Sequence, residues 1–288
     1  MSHKHVIGVL GGTGFYDIEG FTKVESRRIE TPYGEASDEF IITETDDARV
    51  VFLPRHGKGH RFTPTDINYR ANIYGMKVLG VDWLISVSAV GSLREHLKPG
   101  HIAIADQFFD RTKGIRKCTF FGNGVVGHAM FADPVSPALS DMIHEAATGI
   151  DGVTVHKGGT YVCMEGPQFS TRAESHFYRS IGADLIGMTN LTEAKLAREA
   201  GIHYASMCLV TDYDCWRSGE DDVDVADILA VMRQNVANAK AIVKATVQSI
   251  VQRNATPKEL PVMIVTAPDA MNPETVEHLR PIMGKYLP

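Results

Sequence analysis

The 288 residues carry 29 Lys and Arg against 35 Asp and Glu, a formal charge of −6. That balance, with an isoelectric point near 6.0, lacks the basic stripe with which nucleic-acid binders neutralise phosphates. No apolar run approaches the roughly 18 residues of a membrane span, and 44% hydrophobic with 22% charged residues suits a folded enzyme.

The first segment, MSHKHVIGVLGG, enters an apolar run of only five residues with no small-residue cleavage site before the glycines, so it reads as a first strand and not a secretory leader. Further short β-branched apolar runs follow at 50–53, 83–88, 101–105, 159–164, 183–188 and 203–210. Several are apolar almost without interruption, as in central strands covered on both faces. Helical patterns lie between them: 65–79 after Pro64, 140–147, 171–181 opening on the capping-box pair Thr171 and Glu174, 191–200 before Gly201, and 225–252. Alternation of strands and helices predicts one α/β domain with helices on both faces of a parallel or mixed sheet. The four scattered cysteines, Cys118, Cys163, Cys208 and Cys215, form no CxxC pair and are expected to be reduced, with the cytoplasm as compartment.

In such sheets ligands bind beyond the carboxyl ends of the strands. After the first strand comes Gly11-Gly12-Thr13-Gly14, whose backbone N–H groups can converge on an anion. The same turn can be a turn only, and Gly8, Gly11 and Gly14 also fit a spaced dinucleotide fingerprint; no Gly-Lys-Ser/Thr follows, which excludes a Walker loop. The second run ends at Arg55-His56, a fork and a donor able to clamp phosphate, or else a surface ion pair. His60 and Arg61 add local positive charge, and Ser88-Ala89 offers a hydroxyl beside small residues. Phe169, on the turn after Glu165, suits either stacking on a base or core packing. Asp212 and Asp214 end an apolar strand, which favours acid/base work or base recognition; no His or third acid stands near in sequence to complete a metal shell.

Taken in order, GVLGGTGFYD, LPRHGKGH, INYRANIYGMKVLG, SAVGSLRE, DQFFDRT, EGPQFSTRAES, GADLIGMTN, EAKLAREAG and TDYDCW resemble the trimeric purine-nucleoside phosphorylases, and most closely the methylthioadenosine phosphorylases. The resemblance implies a three-layer α/β/α fold with a central mixed sheet, a phosphorylase domain over 1–255, and 256–288 as an extension packed on it without an assigned function. It implies phosphorolysis of a thioether nucleoside to adenine and a sugar phosphate, with inorganic phosphate as co-substrate and neither metal nor organic cofactor. Phosphate is then expected at Thr13, Arg55, His56, Ser88, Ala89 and Thr189, the ribose on Met188, and the base against Phe169, Asp212 and Asp214. Asp212 is expected to protonate N7 of the departing purine.

Relatives acting on 6-oxopurines carry Asn where this chain has Asp212, and a carboxylate accepts from a 6-amino group but repels a carbonyl. On the 5′ side, Val225, Ile228 and Leu229 make one apolar helix face that suits methylthio, although such a stripe also serves as core. His128 matches a residue that reaches the neighbouring subunit's site in relatives, which implies a homotrimer, or a hexamer built from it. Ser88 stands where Thr is frequent, and Val90 where Cys is common in animal members. The rivals are a phosphorylase for adenosine or 6-oxopurine nucleosides, a non-catalytic purine-binding protein, and a nucleotide-dependent reductase. Against the last, no Tyr-x-x-x-Lys pair exists in the chain.

Overall fold

The computed structural model describes residues 5–12, 18, 21–45, 47–217 and 225–288; at 22–24, 225–230 and 232 the description is of the backbone alone. Thr13 therefore lies outside the described residues, as do the side chains of Val225, Ile228 and Leu229. The first half of the chain supplies β1 (His5–Gly11), β2 (Thr22–Arg27), β3 (Phe40–Glu44), β4 (Ala48–Pro54), α1 (Tyr69–Val78), β5 (Trp83–Ser92), β6 (Ile102–Ala105), β7 (Gln107–Arg111), β8 (Gly127–Ala129) and α2 (Pro137–Thr148). The second adds β9 (Val155–Lys157), β10 (Thr160–Met164), α3 (Arg172–Ser180), β11 (Leu185–Gly187), α4 (Asn190–Glu199), β12 (His203–Asp212), α5 (Val225–Gln252), β13 (Val262–Ile264) and α6 (Pro273–Met283).

Among the described residues, eleven strands form one mixed sheet that forks at β5. The first residues of β5 pair in parallel with β1 on one side and β12 on the other. Its last two residues, Gly91 and Ser92, turn to pair antiparallel with β11, which leads on to β10 and β7. β12 is buried from His203 through Thr211 because α2 and α5 pack on it together, as does α4 with α1 beside it. This explains the uninterrupted apolar run. Gly8 sits inside β1, where a Cβ would lie 2.7 Å from Leu84 Cδ1. It is a packing glycine, which removes it from the dinucleotide fingerprint.

Most helix starts follow their capping residues. The Thr171 hydroxyl and the Glu174 carboxylate close the expected capping box of α3. Gly201 follows the end of α4 with φ +65°, a left-handed position that glycine adopts without strain. α1 differs from expectation. Residues 64–66 form a turn, and the helix starts at Tyr69, where the Asn68 side chain accepts from Ala71 N. Pro64 is thus a turn residue, and its carbonyl accepts from the Tyr69 hydroxyl at 2.6 Å. Beyond α5, α6 places Val276, Leu279, Ile282 and Met283 in the main core, and β13 pairs with β8. Among the described residues no helix is long and apolar enough to cross a membrane.

Candidate active site

A cavity of about 480 Å³ opens at the carboxyl ends of β1, β4, β5, β11 and β12. Its lining brings together Arg55, His56, Ser88, Ala89, Phe169, Met188, Thr189, Asp212 and Asp214. His128 does not line it; it lies exposed on β8, in register with Met263. Residues 87–91 of β5 run along the cavity from Arg55 toward Asp212. At roughly 3.3 Å per residue this spans about 13 Å, room for a nucleoside and a phosphate.

At one end Arg55 is 3% exposed. Its planar fork turns inward: Nε and Nη2 donate to the Glu193 carboxylate, Nη2 also donates to Ser86 Oγ at 2.6 Å, and Nη1 donates to the Val87 carbonyl at 3.0 Å. Counting its five hydrogens leaves one on Nη1 for the cavity, so Arg55 offers a single donor and not a fork. Burial favours its neutral form, but the charge and hydrogen bonds of Glu193 outweigh that and raise its pKa. Glu193 also accepts from Ser86 Oγ at 2.7 Å and Tyr204 OH at 3.0 Å. This network was not read from the sequence. The available signal was spacing, because Glu193 lies one helical turn after Thr189 and so shares its face.

His56 lies beside it, stacked on His60 with ring centroids 4.0 Å apart. Burial and then the Arg55 charge push its pKa down to about 4, only partly opposed by its contact with the Phe62 carbonyl. It is neutral at pH 7. His60, Arg61 and Phe62 line the cavity with it. Between the two ends, the Ser88 hydroxyl is buried with no hydrogen-bond partner among the described residues. Met188 is held from behind by Arg116, which donates to its carbonyl and forms a buried ion pair with Glu165 at 2.8 Å.

At the other end, Asp212 accepts from Thr211 Oγ1 and from Asp214 N, each at 2.7 Å. Burial raises its pKa, the two donors oppose this, and the Asp214 charge adds to it. Asp214 has φ +54° and an Oδ2 that is buried without a close hydrogen bond among the described residues. Burial raises its pKa as well, opposed in part by the Ser175 and Ser170 hydroxyls and the Cys215 backbone N–H. Gly91 makes room for the pair, since a Cβ there would lie 3.0 Å from Asp212 Oδ1. Phe169, 64% exposed, stands at this end with Pro167 and Met164. Among the described residues, no group of three His, Cys, Asp or Glu is placed to hold a metal ion.

Comparison with known proteins agrees with this geometry. The family model of the phosphorylase superfamily matches residues 6–248. The S-methyl-5′-thioadenosine phosphorylase of Geobacter sulfurreducens is 56% identical over 286 residues, covering 99% of this chain and 100% of that protein. The chain belongs to the methylthioadenosine phosphorylase family. Its relative of the same name in Thermosynechococcus vestitus is 50% identical, with 98% and 99% covered. Among solved structures, a methylthioadenosine phosphorylase from an antarctic soil metagenomic library superposes with a TM-score of 0.91 at 46% identity, covering 97% and 99% of the two chains. The methylthioadenosine phosphorylase of Schistosoma mansoni in complex with adenine gives 0.80 at 38% identity, covering 86% and 92%. Family members thus share this three-layer architecture and its mixed sheet, as the sequence motifs implied.

Proposed function

We propose that the chain cleaves S-methyl-5′-thioadenosine with inorganic phosphate to adenine and 5-methylthioribose 1-phosphate, in purine and methionine salvage. The observation that carries this reading is one cavity with an arginine-backed anion end and a carboxylate pair of raised pKa at the other. Arg55, His56, Ser88, Ala89 and Thr189 hold phosphate, which needs positioning and not activation. Thr13, outside the described residues, completes that set. Met188 supports the ribose and Phe169 covers the base. Asp212, whose pKa burial raises, gives its proton to N7 as the C1′–N9 bond breaks, and Asp214 receives the 6-amino group. No metal or organic cofactor is needed for these steps.

On the 5′ side, Val225, Ile228 and Leu229 receive the methylthio group, together with His128 of a neighbouring copy in a homotrimer or a hexamer of such trimers. Residues 1–255 act as the phosphorylase domain and 256–288 complete its surface, in a cytoplasmic protein. Assays of product formation from methylthioadenosine, adenosine and inosine test the reading. Phosphate-dependent release of adenine, fastest from methylthioadenosine, is expected. Faster turnover of inosine would contradict it.

A further inference from the structure

Resting on the phosphate role proposed for His56, we infer that this histidine accepts a hydrogen bond from a protonated phosphate oxygen, and thereby selects hydrogen phosphate over the isosteric sulfate dianion. The inference begins with one contact. His56 Nδ1 lies 2.8 Å from the Phe62 carbonyl oxygen. A carbonyl only accepts, so Nδ1 must carry the hydrogen. The chain's own backbone therefore fixes the tautomer and leaves Nε2 for the cavity that His56 lines. On a neutral ring Nε2 is a lone pair, which repels a bare anionic oxygen and welcomes a P–OH.

The surroundings keep the ring neutral. Among the described residues, the charged and titratable groups facing it are Arg55, backed by Glu193, with His60 and Arg61 from the same turn. β5 and the end of β11 bring neutral groups, among them Ser88, Ala89 and Thr189. Among the described residues no carboxylate is paired with His56 or Arg61. Burial and Arg55 together hold the imidazole near pKa 4. Both ionic forms of phosphate present near neutrality keep a P–OH, whereas sulfate has none. The reading of His56 as a donor to phosphate is thereby reversed: Arg55 donates, and His56 accepts.

Calorimetric titration of the full chain with inorganic phosphate and with sulfate, from about pH 8 to about pH 5.5, tests this without relying on turnover. At about pH 7.5 phosphate should bind at least about tenfold tighter, because a site built for a hydroxyl rejects the analogue lacking it. Sulfate binding requires a proton on Nε2, so its affinity should rise about tenfold for each unit of pH lost. Phosphate affinity should change far less. In His56→Gln, whose amide can turn its donor toward the anion, the preference for phosphate should fall toward one. If that variant does not fold, the wild-type pH series decides alone. Equal binding of the two anions near pH 7.5, or sulfate affinity that ignores pH, overturns the inference. Neither result touches the phosphorolysis reading, which product formation decides separately.

Discussion

The two ends of the cavity are built on opposite principles. At the Arg55 end the guanidinium, carboxylate, serine and tyrosine close on one another around Glu193, and one guanidinium hydrogen is left for the cavity. At the Asp212 end the protein meets demand less fully: among the described residues a buried Asp214 oxygen has no close hydrogen bond, the Ser175 and Ser170 hydroxyls only partly offset its burial, and burial raises the pKa values of both carboxylates. The difference is one of timing. The anion end is organised before substrate arrives and costs no rearrangement during reaction. The purine end is destabilised while empty, and a ligand that brings a 6-amino donor and an acceptor for a proton relieves it.

The largest effect expected from breaking this contrast is chemical. Asp212→Asn removes the transferable proton, so kcat with methylthioadenosine should fall by about 10²–10⁴-fold. With inosine the new amide donates to O6, and steady-state rates should fall far less. Equal loss on both nucleosides in a folded variant would move purine discrimination elsewhere. The next effect is on folding. Glu193 and Arg55 are 2% and 3% exposed, and Glu193→Ala strands a buried guanidinium. Denaturant unfolding should show a loss of about 3–5 kcal/mol, the scale for breaking a buried pair. A loss under about 1 kcal/mol would mean that the anion end is not held by this pair.

A subtler effect is the pH profile. Because burial raises the Asp212 pKa, the protonated acid persists above the ordinary aspartate range and is lost as pH rises through the shifted value. kcat/KM for methylthioadenosine should therefore decline on the alkaline side, and Asp212→Asn should lack that limb. A limb that survives the substitution belongs to another group.

The sequence exposed these two ends unequally. Asp212 and Asp214 were legible because two acids after a buried strand demand a reason. Arg55 was legible as a cation at a strand end, but the direction of its fork was not. That direction depends on Glu193, 138 residues away, and a pairing across such a distance leaves no local pattern. The strands of the sheet's centre were recovered, since burial on both faces writes continuous apolar runs. The peripheral strands were not: β2, β7 and β9 carry polar residues such as Glu25, Gln107 and Lys157, and pairing with a neighbour sets their conformation. The fork at β5 is likewise invisible in sequence, because it arises where Gly91 leaves β1 behind and meets β11. Val225, Ile228 and Leu229 were singled out as an apolar face, but their side chains fall outside the described residues.

The smallest expected change tests the contrast most directly. Asp214→Asn keeps the shape of the side chain, tolerates the left-handed backbone at φ +54°, and removes the buried charge. A group whose pKa is raised on folding is stabilising only at low pH, and at neutral pH its ionised form costs stability. Thermal unfolding of the ligand-free variant near neutral pH should therefore give a Tm above wild type, by about 2–4 °C for each kcal/mol released, while kcat falls. A Tm below wild type would contradict the account, since Asp214 would then hold the empty site together and not wait for its ligand.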